Sequence, residues 1–330
     1  AAARRCVAPA RAATSCPRCC TFAPMKARSR QPAAPPRAAE LATALARRLV
    51  PQRAAALARV FAQFEAAIDH IDDVQDGARP SSALLPAHQK LLQSLLHASP
   101  ELRTLLLEAG LELLRGQRED LAGLRLQPRR SAASLSRVQS RKTGALFALF
   151  FEAVAREAKR PTQPLVRWAR SYGTLLQHLS DAASLFAEDA PEDWLLLRPT
   201  RALSLPLRHP KTSANMVRLI AGDRRLPGRL AAVRYLARRA GVLEALEQDL
   251  SALNQLASRK TPGDKASEQI LGAAQRKLAT SLTALATTVR EALPERLAEA
   301  TLKDRAAQAV EQAVRFLRAP HSQEIGRAHV

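Results

Sequence analysis

Between residues 52 and 77 the apolar side chains fall at Leu57, Val60, Phe61, Phe64, Ile68 and Ile71. That spacing makes a single buried stripe on an α-helix. The same period returns through most of the chain. Ala and Leu dominate a 47% hydrophobic composition, aromatics are only 4%, and runs of β-branched or aromatic residues are nearly absent, so strands are disfavoured. An all-α protein is expected. Further helices are predicted over 101–118 behind Pro100-Glu101, from the Pro-Arg-Arg-Ser break at 128–131 to about Lys159, and from Pro161 and Pro164 to about Asp189. A Pro- and Arg-rich stretch at 198–211 reads as irregular. Helices resume at 212–222, 226–258, 265–292 and 295–318, interrupted near Pro262-Gly263 and Pro294. The longest strongly apolar stretch, Gly144 to Phe151, is far short of the roughly 20 residues that span a bilayer. No membrane span and a cytoplasmic location are expected.

The charge is unevenly placed. The formal net charge is +21, and residues 1–39 hold eight Lys or Arg and no acid, leaving 43 basic against 30 acidic residues beyond them. Such an excess can mark a nucleic-acid partner, but neither a nucleic-acid motif nor Arg-interleaved aromatic platforms accompany it, and a basic nucleic-acid-binding protein ranks last among the readings. All four cysteines lie at Cys6, Cys16, Cys19 and Cys20. Cys16-Pro-Arg-Cys19 has zinc-knuckle spacing but no second Cys/His pair nearby. The organisation expected is a disordered basic tail over 1–39, either upstream translation before Met25 or a transit-like segment. It is followed by a helical bundle over 40–258 and C-terminal helices over 259–323. The heptapeptide 324–330, Glu324 to Val330, is expected to be sequencing-adapter read-through.

The most informative cluster is Asp69-His70-Ile71-Asp72-Asp73-Val74-Gln75-Asp76-Gly77. On a helix Asp69, Asp72 and Asp76 share a face with Asp73 beside them. Such crowding of carboxylates is unfavourable unless cations neutralise it, and oxygen-only ligands suit Mg²⁺, which binds through one or two carboxylates plus substrate phosphates. An acidic, solvated helix end stopped by Gly77 is the plainer alternative. The cluster directly continues the apolar stripe, as a site at the mouth of a helical cavity does.

Three more segments follow in order: Gly116-Gln117-Arg118-Glu119-Asp120-Leu121, Arg141-Lys142-Thr143-Gly144-Ala145-Leu146-Phe147, and Tyr172-Gly173-Thr174-Leu175-Leu176-Gln177. With the Asp cluster, they resemble the trans-isoprenyl diphosphate synthases over residues 53 to 207 or so, and the Lys-Thr-Gly-Ala-Leu-Phe string is the most specific piece. The resemblance implies an antiparallel helical bundle around a central cavity. It also implies condensation of an allylic diphosphate with isopentenyl diphosphate, with Mg²⁺ held by Asp72, Asp73, Asp76 and Asp181. Lys142, Thr143 and Gln177 are the implied catalytic residues, and Arg79, Lys142 and Gln117 the implied substrate contacts. Residues before the first acidic motif set product length in that family. Small Ala67, with Ile68 beside it and Phe64 as a floor, implies a medium-length product unless these are ordinary core residues. A homodimer, or a heteromeric partner subunit, is implied as well.

The sequence also departs from the family pattern. The second acidic motif reads Ser180-Asp181-Ala182-Ala183-Ser184 and keeps one carboxylate, and the paired arginines after the first motif are reduced to Arg79. The upstream Gly-Lys-Arg segment has no clear counterpart, Arg47-Arg48 lying too close to Asp72. Arg198, Arg201 and Pro206 only loosely resemble a Lys-x-x-x-Pro pattern. The short span before Gly116 implies a missing or trimmed helix. Two functions therefore stay open: an active prenyltransferase, or a noncatalytic or regulatory relative retaining one diphosphate site.

Overall fold

The structure is a computed structural model that describes residues 34–75, 79–122, 132–187, 192–222, 227–258 and 265–291. Among these residues every regular element is helical: α1 (Ala38–Leu49), α2 (Pro51–Gln75), α3 (Leu84–His97), α4 (Pro100–Ala122), α5 (Ala132–Gln139), α6 (Ala145–Glu157), α7 (Thr162–Phe186), α8 (Glu192–Leu196), α9 (Arg201–Arg208), α10 (Ser213–Ala221), α11 (Pro227–Arg239), α12 (Val242–Ser258) and α13 (Lys265–Glu291). None is long and apolar enough to cross a membrane.

The centre of the bundle is α6, in which every residue from Ala145 to Phe151 is buried. It packs against α1, α4 and above all α7, to which a four-residue connection returns the chain. Aromatic rings fix the packing. Phe150 of α6 stacks on Phe61 of α2 at 4.3 Å and meets Phe64 edge-on at 6.2 Å. On the other side Phe151 packs on Trp168 at 5.7 Å, Trp168 on Tyr172 at 5.0 Å, and Tyr172 on Phe147 at 5.2 Å. Each such ring, fully buried, contributes about 1.5–3 kcal/mol by leaving water.

Two glycines set how closely α6 and α7 approach. A Cβ on Gly173 would lie 2.8 Å from the Thr143 carbonyl oxygen and 2.7 Å from Phe147 Cδ2. One on Gly144 would lie 2.9 Å from the Arg170 carbonyl oxygen and 2.7 Å from Thr174 Oγ1. The same segment touches α4 at Gly116, where a Cβ would meet the Arg141 backbone at 3.0 Å. Between α5 and α6 the helix widens into a single π turn over Ser140–Gly144, so the residues of the Lys-Thr motif lie inside one continuous helix from Ala132 to Glu157. Arg170 of α7 clamps this turn, donating to both carboxylate oxygens of Glu112 on α4 (2.7 and 3.1 Å) and to the Ser140 carbonyl (3.2 Å).

Three differences from the sequence reading have local causes. The stretch 198–211 is not irregular throughout, because Thr200 caps α9 by accepting from the Leu203 amide and Pro206 is accommodated within that helix. The single helix expected over 226–258 breaks at Gly241, whose φ of +81° ends α11 and starts α12. The span before Gly116 holds a fourteen-residue helix, α3, with Pro86 in its first turn, where its missing amide leaves no hydrogen bond unmade. At the N-terminal side, residues 34–39 carry structure: Ala38 and Ala39 are core, and α1 is capped by a tertiary contact, Glu65 of α2 accepting from the Ala38 amide at 3.1 Å. The rest of the expected tail, the helix expected at 295–318 and the terminal heptapeptide lie outside the described residues. Helix α13 packs on α1, α7 and α12.

Replacing Gly by Ala at an uncrowded helix position gains up to about 1 kcal/mol. Gly110 of α4, with no atom within 4 Å of a built Cβ, should follow that rule. Gly173→Ala should instead destabilise by about 1–3 kcal/mol, because the new methyl meets backbone that cannot yield. Urea unfolding followed by circular dichroism checks both, and the opposite signs are the diagnostic.

Candidate active site

The apolar stripe of α2 runs directly into its acids, so one face of one helix supplies both a cavity wall and carboxylates. Ile68 and Ile71 of α2, Leu113 of α4, Leu146 and Phe147 of α6 and Leu176 of α7 line a cavity of about 600 Å³, within the ordinary range for small-molecule sites. Beside it lies a polar pocket of about 250 Å³ walled by α4, α7, α8 and the segment leading to α9. Asp72, Lys142, Thr143, Gln177 and Ser180 line both.

Lys142, in the π turn, donates to Asp120 Oδ2 at 2.9 Å and reaches Asp72 Oδ1 at 3.4 Å, so its ammonium links α4 to α2. Thr143 Oγ1 donates to Gln177 Oε1 at 2.9 Å, and Gln177 Nε2 donates to Asp181 Oδ1 at 2.7 Å. This chain of contacts fixes the amide orientation of Gln177 and joins the Lys-Thr segment to the remnant of the second acidic motif. The other acids of α2 also meet cations: Asp69 pairs with Arg37, and Arg79 Nε donates to Asp73 Oδ2 at 2.7 Å. Arg37 also lies 3.8 Å from Glu65, where burial pushes the Glu65 carboxyl above its ordinary range against the opposing pull of Arg37.

Most residues expected to form the site converge. Asp72, Lys142, Thr143 and Gln177 come together, Gln117 enters the cavity wall as a buried amide whose Nε2 has no hydrogen-bond partner, and Ile68 lines the same wall. Asp73 and Arg79 form a half-exposed pair beside them. Asp76 lies outside the described residues. Ala67 and Phe64 are buried but do not line the cavity, and Phe64 packs on Phe150 instead. Arg201 turns away to Asp249 of α12, which also meets His178 at 3.2 Å.

Sequence reasoning gave no role to three residues found here. Asp120 sits one turn after Gln117 on the same helix face, a signal that was available. Arg37 falls in the segment expected to be tail, and Asp193 in a short segment without periodicity, while Arg198, which loosely matches the Lys-x-x-x-Pro pattern, does enter the polar pocket.

Among the described residues no three acids or histidines converge as ligands of one metal ion. The donor set is still all-oxygen, and Asp72 and Asp73 are about 40% exposed at the side chain. That fits a hard cation bound through one or two carboxylates together with phosphate oxygens and water, rather than an all-protein cage.

Asp181 is buried, with Oδ2 lacking a hydrogen-bond partner. Burial, reinforced by the nearby Asp193 carboxylate, pushes its carboxyl up to about 7 despite the hydrogen bond from Gln177. The folded state therefore holds this proton more tightly than the unfolded chain. The resulting stability is fully present below about pH 4 and is lost as pH rises through about 7, a swing on the order of 4 kcal/mol. Asp181→Asn, which keeps the acceptor for Gln177, should match the metal-free wild type near pH 4 and exceed its stability at pH 8.5. Urea midpoints at the two pH values test this.

Solved structures similar in fold include a geranylgeranyl pyrophosphate synthase, 13% identical with a TM-score of 0.66 over 73% of this chain and 86% of that one. A decaprenyl diphosphate synthase from Rhodobacter capsulatus is 16% identical with a TM-score of 0.65 over 74% and 85%. A polyprenyl synthase from Caulobacter crescentus CB15, solved with calcium and isoprenyl diphosphate, is 18% identical with a TM-score of 0.58 over 76% and 83%. No protein-family model matches the sequence, and no curated protein matches it either. The chain has the fold of the polyprenyl diphosphate synthases, whose motifs its sequence resembles.

Proposed function

We propose that the protein is a prenyltransferase that condenses an allylic diphosphate with isopentenyl diphosphate. The observation that carries this reading is the position of Lys142 and Asp72, which stand between an apolar cavity of about 600 Å³ and a polar pocket of about 250 Å³. That division matches an amphiphile with a hydrocarbon tail and a highly charged head. The similarity in fold to a protein solved with calcium and isoprenyl diphosphate supports it.

In this reading the tail lies along Ile68, Ile71, Leu146 and Phe147, and the diphosphate faces Lys142. Asp72 and Asp73, with Asp76 following in sequence, would hold Mg²⁺, and Asp181 would serve on the opposite helix. When bound, such a cation would supply positive charge that favours departure of the diphosphate. Lys142 adds a fixed charge at the same oxygens, held in place by Asp120 before the reaction begins. The Thr143–Gln177–Asp181 chain orients the polar wall, and the apolar cavity keeps water from the allylic cation until isopentenyl diphosphate attacks it and a proton is lost. Gln117, with its unpartnered Nε2, and Arg79 are proposed substrate contacts. Of the three residues expected to set product length only Ile68 lines the cavity, and it remains the proposed determinant of a medium-length product, while Ala67 and Phe64 are core. A cytoplasmic setting is proposed too, which the cysteine-free body of the chain permits.

A noncatalytic subunit is the second reading, favoured by Ser180 and Ser184, which line the polar pocket where the family carries carboxylates. We also propose a homodimer. Its face is the groove lined by Leu85, Leu92 and Leu96 of α3, each more than half exposed, an apolar concentration of the kind that marks an interaction surface.

Radiolabelled isopentenyl diphosphate with dimethylallyl, geranyl or farnesyl diphosphate and Mg²⁺ should give chain-extended product. Lys142→Ala and Asp72→Ala should each lower kcat by about 10²–10³. No product from folded wild-type protein would leave the noncatalytic reading. Leu92→Glu with Leu96→Glu should convert a dimer to monomer by light scattering, and a monomeric wild type would remove the homodimer.

A further inference from the structure

Helix α12 lines neither the cavity nor the polar pocket, yet one of its acids ties together two walls of that pocket. Asp249 Oδ2 accepts from Arg201 Nη1 and lies 3.2 Å from His178 Nδ1, and Arg201 Nη1 itself lies 3.1 Å from the same ring nitrogen. His178 is 3% exposed, and its Nε2 is buried without a hydrogen-bond partner. The ring is therefore fixed through Nδ1, by Asp249 and Arg201. Each partner of Asp249 adjoins a pocket residue in sequence. His178 follows Gln177 on α7, and Arg201, the first residue of α9, follows Thr200. Backbone makes the second link stiff: the Thr200 amide donates to the Arg198 carbonyl at 2.9 Å, and its hydroxyl accepts from the Leu203 amide at 3.3 Å. Against the upward push of burial, the hydrogen bond with His178 and the charge of Arg201 hold the Asp249 carboxyl below its ordinary range. The contact is ionic at neutral pH, and the Arg201 side chain, 15% exposed, is sheltered enough that losing its counter-charge would strand it.

We propose that Asp249 is a positioning residue that clamps the α7 wall of the polar pocket to the Arg198–Thr200 wall from outside the pocket. Gln177, Ser180 and Asp181 stand on the first wall, and Arg198, Pro199 and Thr200 on the second. Fixed polar groups stabilise developing charge only where they are held in place before the reaction. A carboxylate that touches neither substrate nor pocket thus sets the separation of groups that do. The inference rests on the proposed function only in that the separation governs turnover. The clamp stands without it.

Asp249→Asn keeps the size of the side chain and removes its charge. It should lower kcat for chain extension by about 10- to 100-fold with KM little changed. It should also speed amide exchange over 175–184 and 198–205 together, followed by hydrogen-exchange mass spectrometry, while α2 and α6 keep their protection. Asp249→Asn combined with Arg201→Gln strands no charge, so it stays folded even where the single variant does not, and it should show the same two effects. Leu253→Ala, on the same helix at a core position, is the structural control: it should lower Tm and leave both kcat and the paired exchange of folded protein as in the wild type. Unchanged exchange at either wall in the folded variants overturns the clamp. Faster exchange with unchanged kcat overturns the positioning role, as does a loss of kcat that Leu253→Ala reproduces. Faster exchange at both walls in a protein whose wild type gives no chain-extended product upholds the clamp and removes prenyl transfer instead.

Discussion

The bundle depends on the backbone contact between the π turn and α7. Gly144 and Gly173 let two helices meet where any side chain would hold them apart, and this approach brings Thr143 within hydrogen-bonding distance of Gln177. The aromatic column of Phe147, Tyr172, Trp168 and Phe151 packs along the same seam. Packing and site geometry thus share one constraint. Moving α7 outward would break the polar chain to Asp181 before it unfolded the core.

Much of this was legible from sequence, for reasons that differ between elements. The period of α2 is strong because one face is buried for its whole length, and the acids follow on the same face, so both the helix and the site could be read together. The order of the four segments led to the fold. What the sequence concealed was tertiary. Asp193 carries no local pattern, and only the packing of α8 brings it into the polar pocket near Asp181. Arg37 sits in an Ala- and Pro-rich segment that reads as tail, yet Glu65, twenty-eight residues later, gathers that segment onto α2 by capping α1. The break at Gly241 was hidden because apolar periodicity continues on both sides of it. The helix at 201–208 is hidden because Pro206 and the arginines suggest irregular chain, although Thr200 caps it.

The electrostatics separate the two sides of the site. On α2 each described acid of the motif meets a cation of the chain, Arg37, Lys142 or Arg79. On α7 a lone carboxyl is buried with one oxygen unsatisfied. The site therefore has an ordered, charge-paired wall on α2 and a buried carboxyl without a cation partner on α7. This asymmetry is what distinguishes the site from one built on two equivalent acidic motifs.

The π turn at Ser140–Gly144 has a consequence for how the sequence can vary. Loss of one residue there would let the turn close into ordinary α-helix and rotate everything after it by about 100°. Phe147, Phe150 and Phe151 would leave their partners on α2 and α7, while Lys142 would stay near Asp120. An insertion or deletion in this segment therefore cannot adjust the charged end of the site without also repacking the aromatic core, so the length of the π turn itself is fixed even where its residue identities are not.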